Sequence, residues 1–238
     1  MFYECEIRTG LNDVGKNSLI TNKALLTILE TVGGYQSDEA GYGLLDIENK
    51  GVSWILMDWR LHVIKRPMYG QKLIVKTWGR NVKKVSTYRD YELYDDNNNL
   101  CVIATTKWAL VDITRNKITK IGPDVMEKYK IDDKCVFEDS ELEKVRIPDI
   151  FDSSIKCKVQ RRNIDVNGHM HNTHYLELAY EALPEDVYNN RPYNDLRISY
   201  KHEIKLGDEV TCNYVFNENK HIVVIKKDDL VCAVCELY

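Results

Sequence analysis

The strongest constraint on the fold is a plan that the 238-residue sequence repeats. Residues 21–32 place apolar side chains at helical spacing, and so do residues 174–183. Runs with strand-like composition or alternation follow the first helix at 54–63, 73–78, 86–94 and 100–112. Similar runs follow the second helix at 196–204, 209–216, 221–226 and 230–236, and one precedes it at 157–161. Each half is therefore predicted to be one helix with an antiparallel meander.

The repetition is also visible in the letters. Residues 60–75 resemble residues 197–211, and a glycine (Gly70 or Gly207) stands at the turn of each segment. Self-similarity at about half the chain length indicates duplication. A helix packed on one face of an antiparallel sheet is an α+β arrangement. We therefore predict two tandem α+β domains, at 1–130 and 151–238, joined by an acidic linker at 131–150.

The first helix has a predicted start, stripe and end. Thr21 or Asn22 can cap its start. Gly33 and Gly34 are predicted to end it, because paired glycines interrupt a helical pattern. The apolar stripe is predicted to be core, and its members are Ala24, Leu25, Ile28, Leu29 and Val32.

Composition excludes several functional classes. Basic and acidic residues are balanced, 33 against 37, and the net charge of −4 argues against a dedicated nucleic-acid binder. No apolar run approaches the length that crosses a bilayer. Glu4 and Glu6 stand where a signal peptide would need basic and then apolar residues. The chain is therefore expected to be soluble and cytoplasmic.

The seven cysteines indicate the same compartment. They are scattered and odd in number, so they form no complete disulfide framework. Cys232 and Cys235 have a motif-like spacing, but their flanks are strand-like and no second pair completes a zinc site. We predict buried, reduced thiols.

Polar residues that could take part in catalysis are clustered at residues 163–175, around the start of the second helix. Asp165, Asn167 and His169 lie at i, i+2 and i+4, which puts three side chains on one side of an extended loop. Gly168 allows a tight turn, and a helix N-terminus supplies free N–H groups. Such a site suits attack on a carbonyl, since it combines oxyanion donors with a titratable base.

Two plainer interpretations of this segment remain open. It is also compatible with an ordinary helix start, capped by Asn172 or Thr173, with exposed histidines. A zinc site is the other alternative, with Asp165, His169, His171 and His174 as ligands. The histidine spacing, however, matches neither HExxH nor a Cys/His finger.

Residues 165–175 resemble the D-x-N-x-H-x-N-N-x-x-Y signature of the acyl-acyl-carrier-protein thioesterases, the plant FatA/FatB type and its bacterial relatives. The resemblance covers nearly the whole chain. In the first half it is carried by residues 54–60, Pro67, 77–78, 106–108 and 111–112. In the second half, residues 200–203 look like the family's Y-R-R-E segment. The resemblance implies two hotdog domains, each a helix wrapped by a curved antiparallel sheet.

Carried over residue by residue, the resemblance implies that Asp165, Asn167, His169 and Glu203 are catalytic. Glu203 and Asp165 would activate water or hold the imidazole, His169 would act as base or donor, and Asn167 would orient the carbonyl. No cofactor and no metal are implied. The position after the family's glutamate, often Cys in plant members, is Ile204, so water attack is the simpler mechanism. His171 stands where the family usually has Asn, and it is expected at most to cap the helix.

The implied reaction is hydrolysis of fatty acyl-carrier protein to free fatty acid and carrier-protein thiol. Because the carrier is acidic, docking requires a local basic patch; the candidates are Lys83, Lys84, Arg161, Arg162 and Lys201. The alternatives are an acyl-CoA thioesterase and a non-catalytic acyl-binding hotdog protein. The first half has no Asp-x-Asn-x-His before its helix, so one centre per chain is expected. The resemblance implies that the first half also encloses the acyl chain. The chain is expected to be a monomer or homodimer.

Overall fold

The computed structural model describes residues 2–80, 82 and 85–238, which form two compact units. The first unit comprises Met1–Met57 and Leu61–Leu142, and the second comprises Asp58–Arg60 and Glu143–Tyr238. None of the helices in these described ranges is both long and apolar enough to cross a bilayer.

The first unit is built mainly from antiparallel strands and one long helix. Its elements are β1 (Tyr3–Arg8), α1 (Asn22–Glu39), α2 (Ile47–Lys50), β2 (Val52–Val63), β3 (Lys72–Gly79), β4 (Ser86–Asp95), β5 (Leu100–Asp112), β6 (Lys117–Thr119) and α3 (Pro123–Tyr129). The strands neighbour one another in the order β1-β3-β4-β5-β2, and β6 pairs with β5. α1 contacts β1 and β3.

The second unit follows the same plan. Its elements are β7 (Ser153–Lys158), α4 (Asn172–Glu181), α5 (Glu185–Asn189), β8 (Asp195–Tyr200), β9 (Glu209–Asn217), β10 (Lys220–Lys227) and β11 (Leu230–Leu237). The strand order is β7-β9-β10-β11-β8, and α4 contacts β10 and β11. If β7 to β11 are matched with β1 to β5 in sequence order, the two strand orders are identical. The repeated plan predicted from the letters is therefore present in the topology.

Both helices hold their units together through an apolar face. All five stripe residues predicted for α1 are buried. In α4 the buried residues include Tyr175, Leu176 and Ala179, which recur at helical spacing. The helix packed on an antiparallel sheet is the predicted α+β arrangement.

α1 does not end at the paired glycines, so the predicted end was wrong. The helix continues through Gly33 and Gly34 to Glu39, and Thr21 caps its start by accepting a hydrogen bond from the Ala24 N–H at 3.1 Å. A Cβ on Gly33 would lie 2.6 Å from the Tyr91 Oη. Gly33 is therefore required by close packing against β4, and the packing of the helix outweighs the low helix propensity of glycine.

Three other predicted bounds shift where the chain approaches the candidate site. The strand predicted at 157–161 is β7, which ends at Lys158; a 3₁₀ turn at Arg161–Asn163 follows it. The strand predicted at 196–204 is β8, which ends at Tyr200. The helix predicted at 174–183 is α4, which begins two residues earlier, at Asn172. The 3₁₀ turn, the segment after Tyr200 and the early start of α4 all border the loop described below.

The segment predicted as an acidic linker makes several contacts with the first unit. The Trp78 indole N–H donates to the Lys134 carbonyl at 2.8 Å, and the Val136 N–H donates to the Asp90 carboxylate at 3.1 Å. Burial raises the pKa of Asp90, against the effect of the nearby Arg80 guanidinium. Residues up to Leu142 belong to the first unit.

All seven cysteines are free thiols. Cys232 and Cys235 are fully buried in β11, and burial raises the pKa of both. These are the buried, reduced thiols that were predicted.

Candidate active site

The polar segment before α4 is a closed turn. The Asp165 N–H donates to the His169 carbonyl at 2.8 Å, and the Gly168 N–H donates to the Asp165 carbonyl at 3.1 Å. Gly168 has φ of +79°, a conformation that favours glycine. The loop is therefore not extended as expected, and alternate spacing alone does not decide which side chains share a side.

The Asp165 side chain is turned onto the backbone of its own loop. One carboxylate oxygen accepts the Asn167 N–H at 2.8 Å and the His169 N–H at 3.1 Å. Both are charge-assisted bonds that fix the turn. The geometry gives Asp165 a part in holding the loop that carries Asn167 and His169.

A second segment, residues 201–208, brings Glu203 to His169. The Met170 N–H donates to the Ile204 carbonyl at 2.8 Å, and His169 forms an isolated antiparallel bridge with Lys205. This pairing places the His169 Nε2 at 3.0 Å from one carboxylate oxygen of Glu203. The side chains are 39% and 52% exposed, so both are accessible to a ligand.

Asn167 completes the set of predicted residues. It is exposed at the tip of the same turn. Within the described residues its carboxamide makes no hydrogen bond, and the same holds for the His169 Nδ1. Both groups are therefore free to bind a reacting molecule.

Lys205 is a charged residue at the site that the sequence reasoning missed. Its ammonium lies 2.9 Å from the second carboxylate oxygen of Glu203. The two residues are at i and i+2 in a non-helical segment, a spacing that puts side chains on one side. That spacing was the sequence signal that could have identified Lys205.

His171 and His174 have local roles. His171 is the N-cap of α4, and its Nδ1 accepts the Thr173 N–H at 3.4 Å. The expected capping role of His171 is confirmed, so neither Asn172 nor Thr173 is the cap. His174 bonds to Glu177 one turn along the helix. Among the residues that the structure describes, no three His, Cys, Asp or Glu side chains gather as metal ligands.

Two tyrosines support the start of α4 behind the loop. Tyr175 is buried and its ring packs edge-on against Tyr200, with ring centroids 5.2 Å apart. The Tyr200 hydroxyl donates to the Asn172 carbonyl at 3.0 Å. Burial raises the pKa of Tyr175, so its hydroxyl stays protonated and structural.

The first unit contains a copy of this loop with the same backbone bonds. The Gly15 N–H donates to the Leu19 carbonyl at 2.9 Å, as Asp165 does to His169. The bonds from Thr21 to the Asp13 carbonyl and from His171 to the Asn163 carbonyl are both 2.9 Å. The two loops therefore share these backbone bonds, although Asn17 has φ of +66° and its counterpart Asn167 does not have a positive φ.

The copies differ in the side chains that carry chemistry. Gly15, Leu19 and Arg66 occupy the positions of Asp165, His169 and Glu203, and only the asparagine, Asn17, is repeated. Arg66 donates to the Ile20 carbonyl at 3.0 Å. Of the two loops described, only the second brings together a carboxylate and an imidazole.

The arrangement in the second unit can perform general-base chemistry. With the proton on Nε2, His169 donates to the Glu203 carboxylate, and Nδ1 is left as the acceptor for a proton from water. The exposed Asn167 carboxamide can donate to a carbonyl oxygen as charge develops there. An ester or thioester carbonyl is a planar electrophile that suits the His169 imidazole, the Glu203 carboxylate and the Asn167 carboxamide.

Comparisons with known proteins point to one family. The models of the acyl-ACP thioesterase N-terminal and C-terminal domains match residues 2–129 and 149–232. The oleoyl-acyl carrier protein thioesterase 1, chloroplastic, of Arabidopsis thaliana is 22% identical over 214 residues, which cover 83% of this chain and 59% of the relative. A Coriandrum sativum oleoyl-acyl carrier protein thioesterase is 20% identical, with 83% and 58% covered. The chain thus spans about three fifths of the length of these relatives.

Solved structures show the same fold. An acyl-ACP thioesterase from Bacteroides thetaiotaomicron superposes with a TM-score of 0.87 at 20% identity, covering 99% of this chain and 96% of the other. The 12:0-ACP thioesterase from Umbellularia californica has the same TM-score at 14% identity, with the same coverage. The expected double-hotdog fold is therefore confirmed.

Proposed function

The chain belongs to the acyl-acyl-carrier-protein thioesterase family, and we propose on this premise that it hydrolyses the thioester of a fatty acyl-carrier protein. The products are a free fatty acid and the carrier-protein thiol. The observation that supports this proposal most directly is the His169–Glu203 contact of 3.0 Å beside the exposed Asn167, at the positions matching the family signature.

The proposed reaction is attack by water. The water oxygen bonds to the thioester carbon while His169 takes a water proton, and Glu203 stabilises the imidazolium that forms. Asn167 donates a hydrogen bond to the oxyanion. Collapse of the intermediate breaks the C–S bond, and the sulfur leaves as a thiol with the proton from His169. Asp165 holds the turn that carries both His169 and Asn167.

Ile204 supports water as the nucleophile. The residue is fully buried, and its carbonyl accepts the Met170 N–H that joins the two segments of the site. An aliphatic side chain offers no nucleophile at the position where plant relatives often carry a thiol. A covalent acyl-enzyme at this position is therefore not part of the proposal.

The proposed partner is acyl carrier protein, docked next to the catalytic loop. Arg161 and Arg162 are both exposed in the 3₁₀ turn that leads into the loop, and Lys201 is exposed in the facing segment. Three cations around the site complement an acidic carrier. Lys83 and Lys84, the other candidates from the sequence, lie outside the described residues.

The proposal is tested by thiol release from acyl-carrier protein and acyl-CoA substrates over a series of acyl chain lengths. Asn167→Ala, His169→Ala and Glu203→Ala should each lower kcat by about 100-fold or more, since each removes a group that acts on the reacting atoms. His202→Ala is the matched control, because this exposed neighbour of Glu203 bonds to the Val231 carbonyl. Its activity should be unchanged.

The other outcomes distinguish the alternatives. Full activity in all three variants would overturn the site assignment. Preference for acyl-CoA would support the acyl-CoA thioesterase alternative. No turnover of either donor by the unmodified protein, with acyl chains still bound, would indicate the non-catalytic binding protein.

A further inference from the structure

The turn that follows Glu203 is held by bonds that do not involve the Lys205 ammonium. The Lys205 N–H donates to the Asp208 carboxylate at 2.9 Å, and the Asp208 N–H donates to the Lys205 carbonyl at 3.2 Å. Gly207 has φ of +84°, and its N–H donates to the Val159 carbonyl at 3.1 Å. The lysine contributes only its backbone to this turn.

The copy in the first unit shows that the turn forms with a neutral side chain in the place of the lysine. There the Met68 N–H donates to the Gln71 side-chain oxygen at 2.7 Å, and the Gln71 N–H donates to the Met68 carbonyl at 3.4 Å. Gly70 has φ of +78° and donates to the Thr9 carbonyl at 3.1 Å. Met68 thus occupies the position of Lys205, and folding of the turn does not explain the charge.

The ammonium instead contacts the carboxylate that holds the imidazole. One oxygen of Glu203 is 2.9 Å from the Lys205 Nζ, and the other is 3.0 Å from the His169 Nε2. We propose that Lys205 is a positioning residue that keeps the Glu203 carboxylate turned toward His169; this inference rests on the proposed thioesterase function. Each oxygen of Glu203 then has one partner, and rotation of the carboxylate would break both contacts.

The pair affects reactivity more than stability. Lys205 and Glu203 are 58% and 52% exposed, and exposed ion pairs add little to the free energy of unfolding. When a docked carrier protein excludes water from the site, the attraction between the two charges strengthens. The loss of Lys205 should therefore appear in kcat and hardly in the unfolding temperature.

The test compares Lys205→Met and Lys205→Arg with Lys227→Met in the full chain, with acyl-carrier protein as substrate. Lys205→Met should lower kcat about tenfold, an effect of the order expected for a misplaced reacting group, with unchanged KM. Lys205→Arg should restore most of kcat. Lys227→Met loosens the same turn through Asp208 without touching Glu203, and its kcat should stay within about twofold of the unmodified protein.

The outcomes separate this inference from the proposed function. If the unmodified protein releases no thiol, the thioesterase proposal fails, and the positioning role fails with it. If the unmodified protein is active and Lys205→Met matches it in kcat, only the positioning role is overturned. A rise in KM alone would show that Lys205 contacts the substrate instead, and an equal loss of kcat in Lys227→Met would show that the turn is responsible.

Discussion

Adjacent glycines in α1 meet different surroundings. A Cβ at Gly33 would lie 2.6 Å from the Tyr91 Oη and 3.3 Å from the Arg89 Cδ, whereas a Cβ at Gly34 would have no atom within 4 Å. Arg89 and Tyr91 both lie in β4, so the missing side chain of Gly33 leaves room for two side chains of that strand. Gly34 faces solvent.

Gly33→Ala should therefore destabilise the protein, and Gly34→Ala should not. Forcing the methyl group into the packed site should lower the free energy of unfolding by about 1–3 kcal/mol. Gly34→Ala should raise it by up to about 1 kcal/mol, because alanine has the higher helix propensity. Urea unfolding of both variants measures the difference. Equal effects of the two substitutions would show that the close approach to Tyr91 is not what requires glycine.

At the candidate site, residue types were more predictable than contacts. Asp165, Asn167, His169 and Glu203 were named from the motif, and the structure brings His169 and Glu203 together. The turn that directs Asp165 onto its own backbone was not foreseen, because spacing says which residues could share a side but not where the chain reverses. Lys205 was missed for a related reason, since its partner is recognisable only once the path of the chain is known.

The hairpin between β4 and β5 depends on one carboxylate. Asp95 is almost fully buried and accepts bonds from the Asn99 side chain, the Asn97 and Asn99 N–H groups and Lys65. These bonds lower the pKa of Asp95 from 3.8 to about 2, and the bonds from Asn99 have the largest effect. The folded state therefore favours the ionised form.

This lowered pKa predicts a loss of stability in acid. The contribution of the ionised Asp95 is complete above about pH 4 and is lost as the pH falls through about 2. Thermal unfolding at a series of pH values should show a smaller decline in this window for Asp95→Asn than for the unmodified protein. Asp96→Asn, an exposed neighbour in the same turn, should keep the original decline. Identical pH dependence in Asp95→Asn would contradict this account.

At the level of elements, long periodic segments were predicted well and short ones were not. β5 has the predicted bounds, because thirteen residues of strand-forming character end in turn residues on both sides. β1, with six residues, and α5, with five, were not predicted. Each is too short for its periodicity to be recognised, and each depends on pairing or packing with distant residues. The predicted end of α1 was wrong for a different reason. Gly33, which close packing requires, was interpreted as a signal that ends the helix.

The charge of the whole molecule makes the position of its cations important. A chain of net charge −4 repels an acidic carrier protein at long range, so the proposed association requires a local basic surface. We propose that Arg161 and Arg162 supply this surface, because they are exposed and directly precede the loop at 163–171. Salt should therefore weaken productive encounter with the carrier.

Reversing both charges tests the docking surface. The double variant Arg161→Glu with Arg162→Glu should lower kcat/KM for acyl-carrier protein about tenfold at low salt, and the difference should shrink as salt screens the repulsion. Hydrolysis of neutral acyl-pantetheine should be unaffected. Lys144→Glu with Arg146→Glu makes the same change in charge at exposed residues before β7, and it should have a smaller effect. Unchanged kinetics at low salt would reject this docking site.

The shared backbone of the two loops has an evolutionary consequence. After a duplication, selection for reactivity needs to act on one copy, while the other has only to preserve a turn and the start of a helix. Gly15, Leu19 and Arg66 meet that lesser requirement with the hydrogen bonds intact. Under the proposed function, reactivity and foldability can therefore be inherited separately: the first unit keeps the backbone bonds of the loop, while Gly15, Leu19 and Arg66 stand at the positions of the proposed catalytic residues.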